Sequence, residues 1–469
     1  MKRTTAVIAV LVIAVAAAAT PWVIGWRTEQ LVRARVVQLE ADSATRIRLR
    51  IDQYERGWRG GTARISVLAR DGSPLLTLPA VIRHWPFASG GPADWVAEPE
   101  LAAPAREALG PWGTKLPDLT TSTRLSWGGD VLTEVESSAF KRRVPEIPGG
   151  TMEIAAVSGT IDWRRDGALT YDIALPVLRI ERLPLGRSGV PDETEWREVR
   201  LMGNGSLGTR ARRWDQKASL AAAAISLSEA GIVTLSATNP ALSFTSRVNG
   251  DQVSMQFGVV ASALNARNAR QNFSDTALEF NVDVLKLARE PLGRLLDAMA
   301  NVDNREALTE LPMAELWTDV LRGSPAAELR FKLNANEGRI DLKLVLAFDG
   351  LSLEPKFSSD TFLRRLGGEL NARANTALVV NGTRAGADMA AAMLQPSRRT
   401  DNGIGTRGGA ATDENALARQ QLDDAVAQGW VRIEGDEVAT TVVWRDGQLT
   451  INGKNMNALR DLARGMAGR

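Results

Sequence analysis

The chain contains no cysteine and a single histidine, His84, in 469 residues. Lack of cysteine excludes disulfides, thiolate nucleophiles and sulfur-ligated metal sites. One histidine cannot build a multi-histidine zinc site, and it confines Ser-His-Asp or Cys-His catalysis to one position. Tyrosine is scarce as well, two residues against 13 tryptophans; the tryptophans are scattered and read as packing or interface residues. No sign of charge dominates, since 57 basic residues face 55 acidic ones for a net +2. No basic tract stands out, so nucleic acid is not the expected partner. The chemistry left for an enzyme is a glycosidase-type carboxylate pair or a Ser-Lys dyad. No spacing singles out a carboxylate pair, so a hydrolase ranks third among the functions considered. No catalytic residue, metal or cofactor is expected. Gly203-Asn204-Gly205-Ser206-Leu207-Gly208 is glycine-rich, but no lysine and no helical pattern follow it, against a phosphate-binding loop.

Long apolar runs are missing too, except at the start. Lys2-Arg3 precede an apolar run from Ala6 to Trp26, which as a helix spans roughly 30 Å, the thickness of a bilayer's hydrocarbon core. A cleaved secretory signal would use Ala6 to Ala19, with cleavage among the small residues Ala16 to Ala19. An uncleaved signal anchor would use the whole run, with Trp22 and Trp26 as the aromatic belt at the far interface. The anchor reading is favoured because the run outlasts any cleavage point. Either way the body is expected outside the cytoplasm, tethered to the membrane through residues 6–26 in the second case.

Beyond the anchor, Leu31, Val32, Val36 and Leu39 mark a short amphipathic helix within Thr28 to Leu39. The period then changes to two. Arg46-Ile47-Arg48-Leu49-Arg50-Ile51 alternates strictly, and Ala63, Ile65 and Val67 continue the pattern beyond a turn at Gly57 to Gly61, which predicts a hairpin. Similar units recur. Ile161 and Trp163 lead to Asp166-Gly167 and then Leu169, Tyr171, Ile173 and Leu175; Val438, Thr440, Val442 and Trp444 lead to Asp446-Gly447 and then Leu449 and Ile451. Asp-Gly between alternating segments favours a type I′ turn. Leu329, Phe331 and Leu333 are expected to pair with Ile340 to Leu346 across a turn containing Gly338. Helical spacing is read over Val284 to Met299 and Ala307 to Leu321, with Pro291 and Pro312 as kinks or breaks, Gly323 and Pro325 as a stop, and a C-terminal helix at 457–466 with Asn457 as N-cap. The fold class is α+β and β-dominated: a transmembrane helix, then repeated antiparallel hairpins and meanders with interspersed helices. The expected divisions are an anchor (1–26), a juxtamembrane helix with the first hairpin unit (27–87), a Gly/Pro/Ala-rich linker (88–117) and a β-rich body (118–469). Within the body, helices are placed near 284–322 and a loose loop at 395–412.

Several motifs carry a resemblance. Tyr54-Glu55-Arg56-Gly57-Trp58 before a strand, His84-Trp85-Pro86-Phe87, Val320-Leu321-Arg322-Gly323-Ser324-Pro325 before a strand, and Asp446 to Met456 with its Asn452-Gly453 pair follow one another in order. Together they resemble the YdgA-like family of bacterial inner-membrane proteins whose body faces the periplasm, a family without established activity. The chain departs from that pattern at Trp85, where the family tends to have Gly, and at Gly60-Gly61, where small polar residues are usual. The resemblance implies an anchored, β-rich periplasmic protein that self-associates.

Two hairpin regions stand out as contact sites. Arg56 and Arg59 flank Trp58 at a tip where guanidinium groups can meet a lipid phosphate or carboxylate. His84, Trp85 and Phe87 form an aromatic segment in which Pro86 holds Trp85 extended. The leading functional expectation is a non-catalytic envelope protein binding itself, as a homo-oligomer, or another envelope protein through sheet edges and tips. The alternative is a lipid-binding or lipid-transport protein that takes up phospholipid, because repeated hairpins behind an anchor resemble AsmA-type envelope proteins in arrangement. Tightly filled sheet cores favour the first expectation; a continuous apolar groove favours the second.

Overall fold

The computed structural model describes residues 23–34, 37, 47–57, 60–69, 72–84, 91–108, 118–144, 150–183, 192–206, 215–229, 232–267, 272–300, 313–336, 338–350, 364–380 and 410–456. Contacts divide the chain into two units, Met1–Val248 with Leu296–Glu310, and Asn249–Leu295 with Leu311–Arg469.

In the first unit a helix, α1, covers residues 23–34 and buries Ile24, Thr28 and Val32 along one side. There follow β1 (Ile47–Arg56), β2 (Gly60–Ala69), β3 (Pro74–His84), β4 (Ala93–Ala97), β5 (Glu100–Leu101), the short helix α2 (Ala103–Ala108), β6 (Leu119–Leu125), β7 (Val131–Ser137), β8 (Phe140–Val144) and β9 (Gly150–Ile154). Then come β10 (Ser158–Trp163), β11 (Ala168–Leu183), β12 (Asp192–Ser206), β13 (Gln216–Ala221), β14 (Ala224–Glu229), β15 (Ile232–Thr238) and β16 (Ala241–Asn249). Hydrogen-bonded neighbours run β1-β2-β3-β4-β6-β7-β10-β11-β12-β13-β16, every pair antiparallel. The long strands β11 and β12 outlast their first partners, so β9 joins the far half of β11 and β14 the far half of β12. A register shift between Ile51 and Gln53 leaves Asp52 as an extra residue in β1. That bulge brings Tyr54, rather than Gln53, opposite Ala63. Tyr54 and Trp95 thereby pack on a buried cluster of Ala63, Ala80, Ile82, Ala93 and Ala97.

The second unit is a meander of β17 (Gln252–Arg267), β18 (Asn272–Ala288), β19 (Ala326–Ala335), β20 (Gly338–Phe348), β21 (Leu366–Asn375), β22 (Arg432–Glu434), β23 (Glu437–Arg445), β24 (Gln448–Ile451) and β25 (Lys454–Asn455). Pairing runs β17-β18-β19-β20-β21-β23-β24-β25, again antiparallel throughout, with β22 also on β23. Helices α3 (Arg289–Ala300) and α4 (Met313–Leu321) interrupt it between β18 and β19, and α5 (Ala410–Gln428) precedes β22. Arg294 of α3 and Asp319 of α4 pair at 3.0 Å, and Leu295 and Val320 are almost wholly buried.

The expected hairpins stand at 47–69, 158–175, 326–348 and 437–451, with Leu329↔Leu344, Phe331↔Leu342 and Leu333↔Ile340 in register. At Asp446-Gly447 both residues have positive φ, 54° and 71°, as a type I′ turn demands. Asp166-Gly167 differs: only Gly167 is positive, at 90°, and Arg164 N–H donates to Ala168 O, which gives a longer loop. The helix expected from Val284 is corrected, because residues 284–288 complete β18 and helix begins at Arg289. Pro291 therefore sits in the first turn, where a missing N–H leaves no bond unmade, and it does not kink the helix. Helix α4 ends where expected, with Gly323 N–H donating to Val320 O. Part of the expected linker 88–117 is strand and helix: β4 holds a central place between β3 and β6, and α2 follows β5. Helix α1 joins the end of the expected anchor to the start of the expected amphipathic helix, and α5 starts inside the stretch 395–412 expected to be loose. Among the described residues no helix is long and apolar enough to cross a membrane. The apolar run up to Trp22, and the helices expected over 457–466 and before Met313, lie outside the described residues.

Replacing Gly447 by valine forces a β-branched residue to positive φ, at about 1–2 kcal/mol. Thermal melting of the Gly447→Val chain is expected about 3–6 °C below the parent; an unchanged melt places the turn elsewhere.

Candidate functional site

Directly opposed residues of an antiparallel sheet share a face, so the observed register sorts the second unit into two surfaces. One surface carries rows that cross the sheet. Val259, Phe280, Phe331 and Leu342 form one; Phe257, Val282, Leu329, Leu344, Leu370, Val442 and Ile451 form the next. Flanking rows bring Val284, Leu346, Trp444 and Leu449 on one side and Leu278, Leu333, Ile340 and Val438 on the other. No ionisable side chain interrupts these rows from β17 to β24; Lys454 of β25, opposite Ile451, closes one of them. The face is not sealed: its central residues are half-buried, Phe257 is 40% exposed, and Val438 at the margin is buried. A filled sandwich core would bury them all.

The opposite surface is charged. Glu328 sits between Arg330 (2.5 Å) and Lys343 (3.2 Å), Lys332 faces Glu279 at 3.6 Å, and Arg339 pairs with Glu437 at 2.7 Å. Hydrogen bonds from Arg330 and Lys343 hold the Glu328 carboxyl below its ordinary pKa. At the end of this surface a cleft of about 970 Å³ is lined by Val345, Glu369 and Val443 of the sheet together with Lys286, Arg364 and Arg365. Arg365 there is neutralised by Asp349 at 2.8 Å, so the cleft mixes signs.

The first unit repeats the division. Ile82, Trp95, Thr123, Thr133, Ile161, Tyr171, Gly203, Ala218 and Phe244 stand in one uncharged row from β3 to β16. Gly203 is needed here: a Cβ would lie 2.3 Å from the Tyr171 hydroxyl, so the ring lies across the bare glycine. The glycine-rich segment is thus sheet in its described part, 203–206, and not a phosphate loop. On the other surface Arg200 pairs with Asp172; the pairs Arg179–Glu193 and Arg197–Glu195 stand farther along β11 and β12, where the uncharged row does not extend. Asp52, the extra residue of the β1 bulge, accepts from Ser66 Oγ and from Arg50 Nε at 2.6 Å, and the Ser66 bond leads the causes that hold its pKa below the ordinary aspartate value. Tyr54 is the one strongly shifted phenol, pushed up to about 12, first by burial and then by Glu29.

Of the residues expected to make contacts, Arg56 ends β1 and faces Glu29 of α1 at 3.8 Å. His84 ends β3 opposite Ala93. Trp58, Arg59, Trp85 and Phe87 lie outside the described residues. Pairing brings the ends of β1 and β3 to the same border of the sheet, through Arg56↔Gly61 and Gly60↔Arg83. Ser138 and Lys141 have Ser-Lys spacing, but Lys141 Nζ donates to Glu153 at 2.7 Å, so this pair offers no base for the serine. Sequence reasoning noted the Asn452-Gly453 pair but not the bonds of Asn452, whose amide donates to Gly429 O and Trp430 O at 3.0 Å and accepts from Thr441 N–H at 2.9 Å. Its signal was present: Asn452-Gly453, at φ 50° and 81°, is the turn between β24 and β25.

The depressed Asp52 value implies a definite pH dependence. A lowered native pKa contributes stability that is full above the unfolded value and lost as pH falls through the native one. Ser66→Ala is therefore expected to be less stable than the parent at pH 7, with the gap closing below the ordinary carboxylate range. Urea unfolding at both acidities checks this; an equal gap at low pH would assign the loss to packing.

No curated protein matches the chain. One family, described as a bacterial protein of unknown function, matches residues 1–458. That match runs from the apolar start to just beyond the Asn452-Gly453 turn, and the chain accordingly belongs to the DUF945 family.

Proposed function

We propose that this protein is a non-catalytic envelope protein, anchored in the bacterial inner membrane with its body in the periplasm, that binds lipid acyl chains along the uncharged face of its sheets. One observation carries this reading: the rows through Phe331 and Leu344 are apolar, continuous and only half-buried. Leaving such a surface to water costs about 25 cal/mol per Å², and large contiguous apolar patches mark binding surfaces. Acyl chains satisfy the face without asking for hydrogen bonds. The finer YdgA-like grouping belongs to the same proposal, supported by the Asp446 to Met456 segment with its two positive-φ turns. A second reading, association with another copy or another envelope protein, is favoured by β1, a ten-residue strand that among the described residues pairs only with β2.

Photo-crosslinking on the full-length chain in cells separates the two. With p-benzoylphenylalanine at Leu344 the expected adduct is phospholipid, and at Lys343, one residue away on the charged face, no lipid adduct is expected. Leu344→Glu combined with the crosslinker at Leu329 should suppress the adduct severalfold, because a carboxylate is costly among acyl chains. Adducts at Leu344 with protein alone would mean that polypeptide covers the face, in favour of the second reading.

A further inference from the structure

Antiparallel pairing also decides which loops are neighbours at the borders of a sheet. Through Ala93↔Leu125, Leu125↔Val131, Trp163↔Val131 and Trp163↔Leu169, the turns at 126–130 and 164–167 leave the same border of the first unit as the end of β3. At the first of these turns Trp127 is 62% exposed, the most exposed tryptophan among the described residues. Beside it, Arg164 and Arg165 are exposed on the next turn, and these residues border one shallow depression with Asp130 and Asp166. The two acids are engaged locally. Asp130 accepts the Arg165 backbone N–H at 2.7 Å and Asp166 the Ala168 N–H at 3.0 Å; Asp162 lies 3.8 Å from Arg164. Among the described residues the opposite ends of β4 to β7 differ in kind, presenting Glu98, Glu100, Asp118 and Glu136 and no tryptophan.

The position of α1 says what this border faces. Arg56, on the same border, meets Glu29 at 3.8 Å. Glu29 stands three residues, about 4.5 Å along the helix, beyond Trp26, where the apolar run ends. Trp26 is 46% exposed. Tryptophan favours the bilayer interface, and guanidinium groups pair with lipid phosphates.

We infer that the border carrying Trp127, Arg164 and Arg165 docks on the surface of an anionic phospholipid bilayer, the one in which the chain is anchored. This rests on the anchor reading of residues 6–26 and adds a second, independent contact. Trp127 enters the headgroup layer, the two arginines take phosphates, and the uncharged row of the first unit, from Ile82 to Phe244, runs in the sheet that rises from this border.

The absence of cysteine makes a direct test available. The full-length chain carrying Trp127→Cys, labelled with an environment-sensitive nitrobenzoxadiazole group, is reconstituted in vesicles of phosphatidylethanolamine and phosphatidylglycerol. Ser138→Cys, at the opposite border, is the control. The label at position 127 is expected to shift to the blue and to be quenched by spin-labelled lipid, and the label at 138 to remain in water. Adding Arg164→Glu and Arg165→Glu should return the 127 label to water, and neutral phosphatidylcholine vesicles should weaken its response severalfold. A chain that floats with the vesicles while its 127 label stays as wet as its 138 label overturns the docking and leaves the anchor standing. A 127 response unchanged by the double arginine substitution overturns it as well. A chain that does not float overturns the anchor and the docking together.

Discussion

Everything in this protein depends on register. A strand alternates its side chains with period two, so a slip of one residue in any pairing would move that strand's whole apolar set to the charged surface. Strands β19, β20 and β21, and β18 as far as Val284, each keep one charge-free parity, and neighbouring parities match at every ladder. In β1 the parity changes within the strand, and there the chain inserts a residue. The bulge at Asp52 moves Gln53 off the alanine cluster and sets Tyr54 on it, and the extra carboxylate is satisfied by Ser66 and Arg50. The bulge is thus an answer to a sequence that alternates in odd positions before it and in even positions after it.

The two surfaces contribute to that register unequally. Exposed ion pairs such as Arg330–Glu328 and Arg197–Glu195 are worth about 0–1 kcal/mol each and supply little net stability. Their value lies in specificity, because a slipped ladder would set like charges opposite one another and carry the charges onto the apolar side. The backbone ladders hold the strands, the charged rows penalise wrong pairings, and the apolar rows remain the surface with unspent binding capacity. Small residues tune the last of these. Gly203 leaves room for the Tyr171 ring and Gly368 stands opposite Leu346 and Trp444, so bulky and bare positions alternate across neighbouring strands.

Much of this was legible in the sequence, and the rest was hidden for physical reasons. Hairpins whose partners adjoin in sequence announced themselves, as at Asp446-Gly447 and Gly338, because turn chemistry and alternation are local. Partners separated in sequence left no local trace: the β7–β10 and β13–β16 ladders, and the β9 and β14 insertions, follow from long strands outlasting their neighbours. The end of β18 was misread as helix because Val284, Leu285, Leu287 and Leu292 satisfy helical spacing as well as alternation. Strand β4 was hidden inside a Gly/Pro/Ala-rich stretch, where its short alternation, Ala93, Trp95 and Ala97 inward, is diluted by the flanking composition. Of the residues proposed to make contacts, Arg56 and His84 were visible from their own hairpins. Trp127, Arg164 and Arg165 were not, since nothing local says that two turns so far apart in sequence share a border.

A face without ionisable groups also limits what it can distinguish. Recognition of a headgroup needs donors and acceptors at fixed positions, and the rows from Val259 to Ile451 present none among their side chains apart from the hydroxyl of Thr440 and the indole of Trp444. Such a surface discriminates by chain length, width and curvature, in the way a hydrophobic pocket separates ligands by methylenes and hardly by polar substituents. Any finer preference among apolar ligands then has to arise outside the face. Trp127 stands with Arg164 and Arg165 at one border of the first unit, and Arg364 and Arg365 line the cleft at the end of the second. The division follows from the fold itself: across β19 to β21 alternation clears charge from one surface, and at the borders, where strands turn, charged and apolar side chains are presented together.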